Sequence, residues 1–265
     1  MDTLIFFIPA FLMIVILSGI HCYLGIHVLK REIIFVDLSL AQVSALGGSV
    51  GLLFGFEHGS MQSYFMAIAC TFLAAFLFSW AKRHDRVISQ EALIGMVFAL
   101  SSAAIILVVD KLAHGSEHIK ESLVGKILWV SYQDVAITAL IYSLVAGVHY
   151  IFRDKFIAIS EGNEISNGRF WDFLFYALFG VVISSSTSSA GILLVFSLLI
   201  VPASISGFFT QNLRQRLILG WLLAISLSVL GLAVSFWLDS PAGATLVVLF
   251  TGVTVLILPF LKQKT

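Results

Sequence analysis

Asp37, Gln42 and Glu91 stand in or at the start of stretches that are otherwise apolar. A charged side chain at mid-bilayer depth costs at least ~2.5–3.5 kcal/mol on insertion scales, so the two acids are candidates for handling a cation on its way through a membrane. Asp37 lies about 6 Å along a helix that begins near residue 33, and Gln42 follows one and a half turns later. Gly47, Gly51 and Gly55 then repeat at i, i+4 and i+8, a small face that lets a neighbouring helix approach closely. One reading makes this a helix lining a central route; the other leaves Asp37 as an interfacial residue reaching water near the helix end. Glu91 follows Ser89 and Gln90 at the start of another apolar stretch. The helix dipole favours an acid in the first turn, so a capping role stands beside the cation-handling one.

A second set lies in a polar loop, where His114 and His118 sit four residues apart with Glu117 between them. These side chains suit a divalent metal, although Gly115 weakens the helix that would align them. His21 with Cys22, His27 and His149 fall within or at the ends of apolar stretches, where a lone histidine is ordinarily a hydrogen-bonded packing residue. Pro202, between Val201 and Ala203, frees a backbone carbonyl that Ser197, Ser204 or Ser206 can help satisfy. It marks either a moving, pore-lining helix or a kink that aids packing.

The elements that carry these residues follow from composition. Of 265 residues, 59% are hydrophobic and 11% charged, against roughly 25% charged in a soluble domain. A water-soluble fold cannot bury that much apolar surface, so the chain is expected to be an all-α polytopic membrane protein. A bilayer core needs about 20 apolar residues as helix. Nine stretches qualify: 4–29, 33–56, 61–80, 91–109, 133–152, 171–187, 191–210, 217–237 and 243–261. The first, with Asp2 where a signal peptide would carry positive charge, is too long for a signal h-region and reads as an uncleaved span. The weakest is 171–187, which runs into a serine- and threonine-rich tract at 184–189. With alternating loops, 12 of the 15 basic residues fall on one side and only Lys111, Lys120 and Lys126 on the other. The positive-inside rule then places the N-terminus outside and the C-terminus in the cytoplasm.

Several classes drop out. Lys+Arg and Asp+Glu number 15 each, so net charge gives no attraction to nucleic acid. Two cysteines make no disulfide framework. The sequence holds no phosphate-binding G-x-x-x-x-G-K-[ST] loop, no H-E-x-x-H and no G-x-S-x-G, so no enzyme activity and no permanently bound cofactor are expected. One cytoplasmic loop, 153–170, contains Phe156, Ile157, Ala158, Ile159, Ser160, Glu161 and Gly162. That run is too short to span; it suits either a short amphipathic helix that docks on another protein or an ordinary interfacial loop.

Four segments together resemble the membrane permease subunit of bacterial ABC importers for zinc, manganese or iron: Phe35 through Gly47, Glu91-Ala92-Leu93-Ile94-Gly95, Leu123-Val124-Gly125-Lys126-Ile127-Leu128, and Gly191 through Ala203 with its Pro202. The resemblance covers nearly the whole chain as a single permease domain. It implies a homodimer in the bacterial inner membrane, two ABC ATPase subunits on the cytoplasmic face, and an extracytoplasmic metal-binding protein that delivers a divalent ion. It also implies that 156–164 is the helix that enters the ATPase groove. In one respect the chain departs from the family. The family's second-span histidine aligns with Gln42, a poor zinc ligand beside imidazole, and the family's aspartate aligns with Leu38, one position from Asp37. One residue turns a helical side chain by about 100°.

Two other classes make different demands. An ion-coupled secondary transporter would want more intramembrane carboxylates and broken helices in corresponding halves. An intramembrane enzyme would want histidines paired across helices.

Overall fold

A computed structural model describes residues 2–57, 59–81, 88–111 and 115–257, with side chains at all of these except 2–6 and 115–119. The described residues form eleven α-helices and one short 3₁₀ turn, with no strand among them. In chain order these are α1 (Asp2–Lys30), α2 (Val36–Leu53), α3 (Met61–Ala81), α4 (Gln90–Val109), α5 (Gly115–Val124), α6 (Tyr132–Ile151), α7 (Arg153–Ser160), α8 (Gly168–Ala190), α9 (Ile192–Phe209), α10 (Leu213–Leu238) and α11 (Ala242–Ile257). Eight of them are long and apolar enough to cross a bilayer, and α11 is a shorter apolar helix. The all-helical polytopic fold expected from composition is therefore present. α11 corresponds to the ninth apolar stretch, whose last residues lie outside the described ones.

Helix ends follow local chemistry. Ser89 accepts a bond from Ala92 N at 3.2 Å and caps α4, and Asn212 accepts from Gln215 N at 3.3 Å and caps α10. Ser131 and Asp134 cap each other's backbone at the start of α6. The greatest difference from the sequence expectation is α8, which continues to Ala190 straight through the serine tract. Its hydroxyls bond back to carbonyls of the preceding turn: Ser186 to Val182 O at 2.8 Å, Thr187 to Ile183 O at 2.8 Å. A polar run satisfied within its own helix needs no break.

The helices group into two compact units. One contains Met1–Leu29, Leu123–Ala146 and Ser188–Thr265. There, Gly25 lets α1 meet the α9 backbone at Leu199, and Gly231 admits Leu246 of α11 against α10. Gly125 and Gly191, both at positive φ (73° and 77°), lie backbone to backbone, and Lys126 N donates to Ser189 O at 2.8 Å. A Cβ on either glycine would collide with the other segment's main chain. Two of the four family-like segments thus meet at one glycine junction.

The other unit contains Lys30–Ser122 and Gly147–Thr187. Here α2 packs against both α3 and α4. A Cβ on Gly47 would lie 2.7 Å from Met66 O and 2.8 Å from the Ala67 Cα, and one on Gly51 would lie 3.4 Å from the Ser63 Cα, so α3 rides directly on that glycine face. Gly55 is not part of the face; it lies beyond the end of α2 in a turn at φ 82°.

Candidate functional site

Asp37 sits in the first turn of α2 and is 2% exposed. Its Oδ1 is buried with no hydrogen-bond partner. The interfacial reading, in which the carboxylate reaches water, does not describe this position. Glu91 lies in the first turn of α4, the helix that packs against α2. Glu91 Oε1 accepts from the backbone amide of Phe35 at 3.2 Å, and its Oε2 is buried without a partner. Ser89 is the side-chain cap of α4, so the Glu91 carboxylate serves the entrance of α2. Two carboxylates, each with one unpaired buried oxygen, therefore stand at the starts of adjacent helices, tied together through the Phe35 amide. Such oxygens are acceptors only, and the group they can satisfy is a cation or a proton.

Gln42 is half-buried and does not join them. Five residues along a helix amount to a turn of about 140° away from Asp37, whereas Ala41 and Ser44 lie on its face. Of the three route candidates, the structure brings Asp37 and Glu91 together and leaves Gln42 apart. His114 lies outside the described residues, as do the side chains of Glu117 and His118, whose backbone belongs to α5. Among the described residues no three His, Cys, Asp or Glu side chains gather to hold a metal ion. His21 bonds Leu17 O at 2.7 Å within its own helix, as a packing histidine does.

Pro202 is buried in the middle of α9, which continues past it. Ser197 bonds Leu193 O at 2.9 Å, Ser206 bonds Ala203 O at 3.2 Å, and Arg216 of α10 donates its Nη2 to Ala203 O at 3.0 Å. The helix is thus supported on both sides of the proline.

The 153–170 segment forms the eight-residue helix α7, the connection after it and the first residues of α8. Phe156, Ile159 and Ser160 face inward: the Phe156 ring stacks on His149 with centroids 4.1 Å apart and meets Trp171 edge-on at 6.0 Å. Ile157 and Ala158 are half-buried, while Arg153, Asp154, Lys155, Glu161 and Gly162 are exposed. Half of the apolar run therefore seats the helix and only the rest is left to meet another surface. Gly162 (φ 77°) ends α7 with paired reverse bonds, Asn163 N to Ala158 O at 2.9 Å and Gly162 N to Ile159 O at 3.4 Å, the Schellman arrangement that stops a helix sharply.

The model of one protein family, the ABC 3 transport family, matches residues 3–261. The chain belongs to that family. This ABC 3 family member is 24% identical over 250 residues to a "probable metal transport system membrane protein" of Chlamydia pneumoniae, covering 92% of this chain and 85% of that one. It is 23% identical to the "high-affinity zinc uptake system membrane protein ZnuB" of Haemophilus influenzae, covering 91% and 92% respectively. Its fold is similar to a chain of PsaBC from Streptococcus pneumoniae solved in complex with Fab, with a TM-score of 0.75 and 21% identity over 93% of this chain and 88% of that one. The ABC 3 family member is a multi-pass protein of the inner membrane.

Proposed function

We propose that this chain is the membrane permease of an ABC importer that carries a divalent metal ion into the cytoplasm, driven by ATP hydrolysis on separate ATPase subunits. The observation that carries the reading is the buried Asp37 and the half-buried Glu91, each with one covered, unpaired oxygen, in a member of the ABC 3 transport family. Two such carboxylates are compensated by protons or by a cation, and a divalent ion in transit is one group that supplies the charge. The relatives named for metal and zinc transport support a metal as cargo. The carboxylates then make a transient stop for the ion, with Gln42 lining another part of the helix.

The same reading assigns α7 to the ATPase. Its half-buried Ile157 and Ala158, flanked by exposed charges, form the surface that would enter an ATPase groove, while Phe156 and Ile159 hold the helix to the permease. Two copies of the chain would complete the membrane part, with the N-terminus outside, and a metal-binding protein outside the membrane would deliver the ion. The test is metal accumulation in cells that lack and then regain this chain. Restoration of one divalent metal by the wild-type chain, and not by Asp37→Asn, supports the reading; accumulation that never depends on the chain refutes it.

A further inference from the structure

Arg31 follows directly on α1, and its side chain is 4% exposed. Its Nη1 donates to Asp172 Oδ1 of α8 at 3.1 Å, its Nε donates to Ser160 Oγ at the end of α7 at 3.0 Å, and its Cζ lies 4.0 Å from the centre of the Phe175 ring. A guanidinium fixed by a carboxylate, a hydroxyl and an aromatic face at once has little freedom to move without taking its neighbours along. Beside it, Lys30 Nζ reaches Glu161 Oε1 at 2.8 Å. The end of α1 therefore grips the last turn of α7 at two successive positions.

The chain of contacts continues past α8. Tyr176, one residue beyond Phe175 and fully buried, accepts from Gln90 Nε2 at 2.7 Å, and the same amide donates to Phe78 O of α3 at 3.1 Å. Gln90 is the first residue of α4 and the neighbour of Glu91, which in turn holds the Phe35 amide ahead of Asp37. A series of contacts, part-buried from Ser160 to Gln90 and reaching the surface at Glu91 and Phe35, thus joins Ser160 of α7 to the two carboxylates, and every member belongs to one compact unit. Rigid networks of this kind can carry coupling between sites when both ends bias them.

We infer that Arg31 is the positioning residue through which displacement of α7 reaches the Asp37–Glu91 carboxylates. The inference rests on the reading of α7 as the ATPase contact. Arg31 touches neither the ATPase nor the ion; it fixes the geometry between them. Lysine keeps a positive charge for Asp172 but, as a point charge on a flexible stem, cannot hold Ser160, Asp172 and the Phe175 face together.

The experiment compares wild type, Arg31→Lys, Arg31→Gln, Ser160→Ala and Ala158→Trp in cells lacking the native gene. Each chain is tagged and recovered with its ATPase subunits. Zinc and manganese accumulation is divided by ATP hydrolysis of the recovered complex. For Arg31→Lys and Ser160→Ala, the expected result is recovery with the ATPase as for wild type and a ratio lower by about tenfold, within the usual range for coupling between two sites. A wild-type ratio in both, with Ala158→Trp uncoupled, overturns the role of Arg31 and leaves α7 as the ATPase contact. A wild-type ratio in Ala158→Trp as well removes the α7 reading and the inference with it. Loss of the chain or of its ATPase in Arg31→Lys would make Arg31 a folding residue only and also overturns the inference.

Discussion

The Glu91 carboxylate does not cap its own helix; it accepts the amide of Phe35 at 3.2 Å and so ties the start of α4 to the start of α2, two residues before Asp37. One oxygen makes that tie and the other is left buried and unpaired. A single side chain thereby both positions the second carboxylate and contributes to the acidic site.

This division of labour makes Glu91→Gln informative. The amide oxygen can still accept from Phe35, so the helix contact survives while the charge is lost. Uptake of the transported metal should fall by at least an order of magnitude with the chain present at wild-type level. Uptake equal to wild type would reduce Glu91 to a structural tie.

Asp37→Asn should separate function from stability in the opposite direction. A buried carboxylate with an unpaired oxygen is costly unless compensated, so its neutral analogue should melt no lower than wild type in detergent. Metal uptake should nevertheless drop. A large loss of thermal stability together with uptake would instead mark Asp37 as a structural residue.

The ion pair of Arg31 and Asp172, with side chains 4% and 9% exposed, predicts a stability pattern of its own. Asp172→Ala leaves a buried guanidinium without its carboxylate, which should cost about 3–5 kcal/mol. Arg31→Met combined with Asp172→Leu, which removes both charges, should recover much of that loss. Thermal unfolding of the purified chain distinguishes the two; equal destabilisation would argue against a charge-based cost.

At the end of α7, Gly162 has open space around it but a φ of 77°. Substitution there meets strain without collision, about 1–2 kcal/mol for an ordinary L-residue and less for asparagine. Gly162→Val should therefore impair metal uptake more than Gly162→Asn, with ATPase recovery declining in the same order. Equal effects of the two would mean that backbone conformation is not what matters at this turn.

Much of this architecture was legible from length and hydropathy, because a membrane helix must satisfy its backbone internally and be apolar along its whole length. Boundaries failed where polar side chains changed the local rule. The serines and threonine of 184–189 look like a break, yet they bond within α8 and prolong it. Gly55 continued the small-residue pattern on paper but lies past the helix. Of the site, Asp37 and Glu91 stood out as acids in apolar stretches. That Gln42 faces away from Asp37 follows from their five-residue spacing on one helix; that Glu91 reaches the start of α2 depends on packing between helices. Arg31 and Asp172 carried only the general signal of charges at membrane-helix ends; 141 residues separate them, and no local pattern pairs positions so distant. The inward turn of Phe156 and Ile159 was equally hidden, since an apolar pair on a short helix fits docking on a partner as well as seating on its own chain.

The most direct test of a divalent-metal permease is metal content in cells lacking this chain and then regaining it, grown in turn at limiting zinc, manganese and iron. For a divalent-metal permease, at least one of these metals falls in its absence, returns with the wild-type chain and fails to return with Asp37→Asn. Unchanged zinc, manganese and iron throughout would contradict a divalent-metal permease.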